Sequence, residues 1–209
     1  MPTRVLLLRH AESADPTVFH GAESDVDLSD RGRSQAEGIA KVLAARQPDL
    51  LVSSAMRRAR ATAEAIGLAC ALPVQLEPDL HERRVSMLSG QRIEDHQSLW
   101  TQTVDHWMRG DIRFTHAGAE SFADVRARVL PVWERLITQH AGRTLVIVAH
   151  GIVCKVLLLS VLANHSPADW RTKVPSLRNV AINELVRDDA GWRALRLNWW
   201  PEEWENMSR

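Results

Sequence analysis

Two short apolar runs, each ending in histidine, restrict this chain more than anything else in it. The first, Val5-Leu6-Leu7-Leu8, passes directly into Arg9-His10 and then into the acidic, small-residue segment Ala11-Glu12-Ser13. The second, Thr144-Leu145-Val146-Ile147-Val148-Ala149, ends in His150-Gly151. Unbroken apolar runs of this length read as strands buried on both faces, and such strands belong to a parallel sheet covered by helices. A parallel sheet presents the carboxyl ends of its strands along one edge, which is where ligands bind in open α/β folds. Each run therefore delivers a titratable ring to an edge suited to a site.

The remaining elements alternate. Residues 11 to 28 carry no period and hold Pro16, Gly21 and several acids, which predicts a loop over the sheet edge able to cover a site. Ser29 is a good N-cap, and Gln35, Ala36, Ile39, Ala40, Val42 and Leu43 form a helical stripe that ends near Pro48. Leu50-Leu51-Val52-Ser53-Ser54 reads as a buried strand, residues 55 to 66 as an alanine-rich helix, and residues 73 to 78 as a third strand. Residues 79 to 118 read as irregular or weakly helical, with Trp100 and Trp107 as anchors. A helix is predicted over residues 121 to 140 with Gly142 as its cap, and a helix apolar almost all round over residues 152 to 159. Residues 180 to 187 and 192 to 199 alternate about Asp188-Asp189-Ala190-Gly191 and predict a hairpin; the tryptophans from Trp199 to Trp204 are expected to pack back on the body. The expected fold is a three-layer α/β/α sandwich, mainly parallel, with an antiparallel addition from the C-terminal hairpin. One domain over residues 1 to 209 is expected, because no linker composition divides the chain.

Charge excludes some functions. Lys+Arg 26 balance Asp+Glu 26, so the chain lacks the positive field of a protein that holds nucleic acid by its phosphates. No apolar run approaches the roughly 18 residues of a membrane span, and neither nucleic acid nor membrane is expected as a partner. The first apolar run is too short for a signal-peptide core, and Cys70 and Cys154, each in an apolar segment, read as buried hydrophobes rather than a disulfide or metal pair. A cytoplasmic location is expected. Any bound anion should be small and held by cations that converge on it.

The second strand leads to such cations, Arg57, Arg58 and Arg60. Imidazoles and guanidiniums gathered at one edge repel one another, by about 4 kcal/mol per charged pair at ~4 Å and an effective dielectric of ~20, unless an anion lies among them. A phosphoryl group fits, since arginine offers planar bidentate donors and each following helix start adds amide donors. A neutral imidazole beside it suggests attack on phosphorus to give phosphohistidine. The leaving alkoxide then needs a proton, and Glu82 in Leu80-His81-Glu82-Arg83-Arg84 is the carboxylate placed to give it. His10 must be neutral and Glu82 protonated in that step, so a mildly acidic optimum is expected. His81 and His96 have no comparable support and read as structural or surface residues.

Together with Asp27-Leu28-Ser29, Gly32, Gln35-Ala36, Ser53-Ser54-Ala55-Met56-Arg57-Arg58-Ala59, Thr62-Ala63 and Gly118-Ala119-Glu120-Ser121, these motifs recur in an order that resembles the histidine phosphatase superfamily, phosphoglycerate mutase-like branch. The resemblance implies a phosphoglycerate mutase-like fold with His10, Glu82 and His150 as catalytic residues. His10 would be the phosphorylated nucleophile and Glu82 the acid and later the base for water. It implies phosphate binding by Arg9, His10, Arg58, His150 and Gly151, with no metal and no cofactor. Arg57 fits the pattern less well than Arg58 and is left out of the pocket. Ala11 stands where the family usually has glycine and is expected to narrow the backbone's approach to phosphate. Arg83 and Glu12-Ser13 echo cofactor-dependent mutases, but the segment between Glu82 and His150 is short and lacks the cap expected to hold a bisphosphate. The expected activity is metal-independent hydrolysis of a small phosphorylated metabolite, with inorganic phosphate as product. A cofactor-dependent phosphoglycerate mutase and a non-catalytic phospho-ligand binding module are the alternatives, and a homodimer is left open. Specificity is expected to lie in residues 13 to 28 and 83 to 118.

Overall fold

The structure, a computed structural model, describes residues 2–201. Its strands are β1 (Thr3–Arg9), β2 (Leu50–Ser54), β3 (Val74–Glu77), β4 (Thr144–Ala149), β5 (Ile182–Asp188) and β6 (Gly191–Trp199). Its α-helices are α1 (Asp30–Ala44), α2 (Arg57–Cys70), α3 (Gln97–Met108), α4 (Phe122–Gln139) and α5 (Gly151–Val161). All the strands join one sheet in the order β3-β2-β4-β1-β5-β6. The pairs β3 with β2, β2 with β4 and β4 with β1 are parallel, whereas β5 adds to β1 and β6 to β5 in the antiparallel sense. This is the expected mainly parallel sheet with a terminal hairpin.

β1 shows why its sequence is a continuous apolar run. Val5 and Leu7 enter the core beneath α4 and α5, while Leu6 and Leu8 enter the core beneath α1 and α2. Side chains alternate across a strand, so a strand covered on both faces needs apolar residues at every position. The helices carry one-sided stripes. Ser29 caps α1 by accepting Gly32 N–H at 2.9 Å, and Ile39, Ala40 and Leu43 face the sheet. Ser121 and Asp124 form a capping box at the start of α4. α5 buries every residue from Val153 to Leu159, the apolar ones as their all-round pattern requires and the charged Lys155 among them.

Several expectations need correction. The segment expected to be irregular or weakly helical contains the regular helix α3. It has no side-chain N-cap and buries only Thr103, Val104 and Trp107, so local signals are faint. The helix is held instead by ring packing: Trp107 meets Trp100, two turns before it in α3, and the distant Trp170 and Phe122 edge-on, and donates from Nε1 to Phe114 O at 2.9 Å. The alanine-rich helix begins at Arg57 rather than residue 55 and continues to Cys70, where Ala71 adopts a left-handed turn at φ 54°. β5 begins only at Ile182, because Val180 at φ 55° breaks the extended chain. Cys154 is buried, but Cys70 at the end of α2 is only half-buried; both are free thiols. Trp199 belongs to β6, Trp200 packs against the α1–α2 face, and Trp204 lies outside the described residues. Among the described residues no helix is long and apolar enough to cross a membrane.

Gly32 tests how tightly α1 is set against the loop that follows β1. A methyl group there would run into the Glu12 carbonyl oxygen, which is backbone and has no rotamer to escape by. Gly32→Ala should therefore destabilise the fold by about 1–3 kcal/mol through overpacking. The measurement is the urea midpoint, and an unchanged midpoint would show that the two backbones have room to separate.

Candidate active site

Strand register brings the histidines together. β1 and β4 pair Leu8 with Val148 and Arg9 with Ala149, so the next residue on each strand, His10 and His150, emerges at the same point of the edge. His10 N–H donates to Ala149 O at 2.9 Å, and the two rings lie 5.0 Å apart at 62°. β2 ends beside them in Ser54. β3 pairs Glu77 with Ser54, and the tight turn Pro78–Leu80 then returns the chain so that Glu82 meets the first turn of α5. There Glu82 Oε2 accepts Ile152 N–H at 3.2 Å and Oε1 accepts Arg83 N–H at 2.8 Å.

The His10 tautomer follows from its partners. Nδ1 lies 2.6 Å from Ala11 O, an acceptor only, so the ring hydrogen is on Nδ1 and the lone pair is on Nε2. Arg58 Nε donates to that lone pair at 3.2 Å. The rest of the Arg58 guanidinium is held by carbonyls of the loop after β1, with Nη1 to Ser24 O at 2.9 Å and Nη2 to His20 O and Gly21 O at 3.3 Å each. His150 Nε2 lies 2.9 Å from Ser54 Oγ, which also accepts Met56 N–H at 3.3 Å. We assign Ser54 as the donor to Nε2, which puts the His150 hydrogen on Nδ1. That atom is buried and has no partner, and neither has Arg9 Nε. Arg9 is anchored by its other end, with Nη1 donating to Leu177 O at 2.9 Å.

Burial sets the charge states. It pushes the pKa of His10 well below the ordinary imidazole value, helped by Arg58 and Arg9, and lowers that of His150 likewise, helped by Arg58 and His10. Both rings are neutral at pH 7. Burial also lowers Arg9 and Arg58, opposed by the charge of Glu82. The result is a neutral ring nitrogen whose lone pair is held by Arg58 Nε alone, in a cavity lined also by Arg9 and by the carboxylates of Glu12 and Glu82. That set can receive a tetrahedral oxyanion and attack its central atom.

Every site residue named from the sequence lies at this edge: Arg9, His10, Arg58, Glu82, His150 and Gly151. Gly151 opens α5, and a methyl there would lie 3.6 Å from Arg9 Nε and 3.8 Å from Glu82 Oε2. The proposed arginine cluster is not a cluster. Arg57 and Arg60 turn outward to pair with Asp27 and Glu64, because successive helical positions point about 100° apart, and only Arg58 faces the rings. Ala11 does not narrow the site. Its methyl is fully buried in the α1–α2 core, and its N–H donates to Thr62 Oγ1 at 3.0 Å. His81 and His96 do not line the His10 cavity. Sequence reasoning missed Ser54 and Asn179, whose Nδ2 donates to His10 O at 2.8 Å. Ser54 was findable, as the last residue of a strand on the same edge; Asn179 carries no local signal.

The chain belongs to the histidine phosphatase superfamily (branch 1), whose profile matches residues 5–199. It is similar to the glucosyl-3-phosphoglycerate phosphatase of Mycolicibacterium vanbaalenii, 35% identical over 76% of this chain and 74% of that protein. It is also similar to phosphoserine phosphatase 1 of Hydrogenobacter thermophilus, 30% identical over 80% of each. The solved structure of a mycobacterial glucosyl-3-phosphoglycerate phosphatase superposes with a TM-score of 0.82 at 28% identity, covering 96% of this chain and 100% of that one.

The depressed histidines carry a stability signature. In the unfolded chain each ring titrates near its ordinary value of ~6.5, so below that pH the unfolded state binds more protons than the folded one. Stability is present above pH ~6.5 and falls as the solution is acidified, by up to about 1.4 kcal/mol per pH unit for each ring. Urea unfolding between pH 7 and pH 5 should show this slope, and His150→Gln should flatten it. Equal slopes for the two proteins would mean that His150 titrates as it does in water.

Proposed function

We propose that this chain is a metal-independent phosphomonoesterase that cleaves small phosphorylated metabolites through a phospho-His10 intermediate, as one domain acting in the cytoplasm. The observation that carries the reading is the pair of buried, unpartnered nitrogens on the side chains that flank His10 at the strand edge, Arg9 Nε and His150 Nδ1. An unsatisfied buried donor costs about 1–3 kcal/mol, and the oxygens of a phosphoryl group are acceptors that would relieve both. The free thiols Cys70 and Cys154 support a reducing compartment. The relatives named above are phosphatases, which supports water as the phosphoryl acceptor rather than a second substrate hydroxyl.

In the first step His10 Nε2 attacks phosphorus in line with the ester oxygen. The N–P bond forms, the P–O bond breaks, and Glu82 gives its proton to the departing alkoxide. Arg58 Nε, which holds the Nε2 lone pair, passes to a phosphoryl oxygen, where Arg9 and His150 also donate. The backbone clamp from His10 Nδ1 to Ala11 O keeps Nε2 as the attacking atom throughout. In the second step water attacks phosphorus while giving a proton to the Glu82 carboxylate. The P–N bond breaks, inorganic phosphate leaves, and the lone pair returns to His10.

Two measurements test this reading. Hydrolysis of p-nitrophenyl phosphate should continue undiminished in EDTA and fall at least a thousandfold in His10→Ala; a strict metal requirement would overturn the proposal. Glu82→Gln should slow an alkyl phosphate more than p-nitrophenyl phosphate, because nitrophenolate departs without a proton. Equal losses on both esters would remove Glu82 from the acid role.

A further inference from the structure

The sheet does not by itself fix the stretch that carries Glu82. β3, which leads to it, is only four residues long and lies at the edge of the sheet, with β2 as its one neighbour. Beyond Pro78–Leu80 the chain has left the ladder, and its backbone groups must find partners elsewhere. Leu80, 1% exposed, enters the core beneath α4, but Glu82 N–H meets only the weak acceptor Met56 Sδ at 3.4 Å. A general acid must come within about 2.6–3.2 Å of the oxygen it protonates, and a misplacement of about 1 Å costs up to about a hundredfold in rate. The course of this stretch therefore bears on catalysis as well as on folding.

Residues 79 to 84 are gripped by one ion pair. Arg128 of α4 meets Glu120 as a two-pronged fork, Nε to Oε1 at 2.8 Å and Nη2 to Oε2 at 3.0 Å, and the side chains are only 14% and 12% exposed. Arg128 also reaches the backbone that leads to the acid: Nη1 donates to Asp79 O at 2.7 Å, and Nη2 to Glu82 O at 3.3 Å, where the His81 ring lies at 2.8 Å. Glu120 takes the residues that follow. Its Oε2 accepts Arg84 N–H at 2.8 Å, its N–H donates to Arg84 O at 3.0 Å, and its carbonyl accepts Arg83 Nε at 2.6 Å. On the far side Ala22 N–H donates to Arg83 O at 3.2 Å.

The pair is built to stay charged and in place. Burial opposes the charge of Glu120, yet Arg128 and Arg84 N–H hold its carboxyl below the ordinary carboxylate range. Ser121, which caps α4, follows Glu120 directly, so one helix start sets the position of both partners. Neither residue lines the cavity of about 360 Å³ that holds His10, nor the one of about 400 Å³ that adjoins it through Arg9, Glu82, Trp100 and Ile152. They reach the reaction only through the stretch they hold.

We propose that Arg128 and Glu120 are positioning residues for the acid, gripping the chain before, at and after Glu82 so that its carboxyl meets the leaving oxygen. This rests on the phosphatase reading and extends it to two residues that do not touch substrate.

The test compares phenyl phosphate with p-nitrophenyl phosphate, close in shape but differing in how much the departing oxygen needs a proton. Arg128→Gln should lower kcat for phenyl phosphate by about tenfold or more and for p-nitrophenyl phosphate by less than about threefold, with little change in KM. Added to Glu82→Gln, which has no proton to deliver, it should alter the ratio of the two esters by less than about twofold. Arg128→Gln strands the buried Glu120 charge, so Arg128→Gln combined with Glu120→Gln, which leaves no unpaired charge, is measured beside it and should show the same split. Equal losses on both esters overturn the positioning role, as does a ratio that Arg128→Gln shifts just as far without the acid. If urea unfolding shows neither protein to be folded, the pair is structural and the proposal falls. A wild-type protein without His10-dependent cleavage of p-nitrophenyl phosphate is instead the failure of the phosphatase reading, and equal losses in Glu82→Gln alone are the failure of the acid assignment. A split in Glu82→Gln that the Arg128 variants do not reproduce is the failure of this inference alone.

Discussion

The site depends on one buried guanidinium. Arg58 is 1% exposed and, among the described residues, touches no carboxylate, so its charge is answered by carbonyls and by the His10 lone pair. Those carbonyls come from residues 20 to 24, which fixes where that loop can lie. The loop in turn braces what surrounds it. Asp25 accepts Arg57 N–H at 2.7 Å and serves α2 as the cap that Met56 cannot provide, and Glu23 accepts the N–H groups of Val85 and Ser86, just beyond Glu82. Loop, helix start and acid-bearing segment are thereby one hydrogen-bonded unit around a cation. The same charge adds to the burial that keeps both imidazoles neutral, so one side chain fixes the loop's course and reinforces the rings' state.

The opposite flank is held by a short stretch before β5. Leu177 O takes Arg9 Nη1, Asn179 takes His10 O, and Val180 N–H donates to Arg9 O at 2.9 Å. Val180 does so at φ 55°, a conformation that costs a β-branched residue about 1–3 kcal/mol. The strain is confined to the residue that turns the chain from bracing the tip of β1 into pairing with it as β5.

Much of this architecture is legible in the sequence because burial on both faces leaves its mark residue by residue. β1 and β4 are continuous apolar runs, and α1 and α4 have both stripes and caps, so their positions and the meeting of His10 with His150 follow from pattern and parallel register. What escapes is anything decided by distant packing. α3 is pinned because Trp107 meets not only Trp100, two turns before it on the same helix, but also Trp170 and Phe122, which lie too far off in sequence to announce it. Arg57, Arg58 and Arg60 are alike in composition, and only the phase of α2 separates the one that enters the site from the two that pair at the surface. Ala11 looks like a departure at the phosphate until its methyl is found in the core on the other side of the strand. Arg83, flagged by its resemblance to mutases, is sandwiched against Trp100 and Trp107 with Nε on Glu120 O, and burial lowers its pKa to about 10.

Trp100 borders both the His10 cavity and its neighbour, with a guanidinium 5.6 Å from its ring. The chain has eight tryptophans and no tyrosine, so its ultraviolet emission is that of indole alone. An anion entering either space would alter the field across the Trp100 ring and the hold of Arg83 upon it. The molecule thus carries its own optical probe at the junction of its two cavities, where occupancy is readable as light without any label.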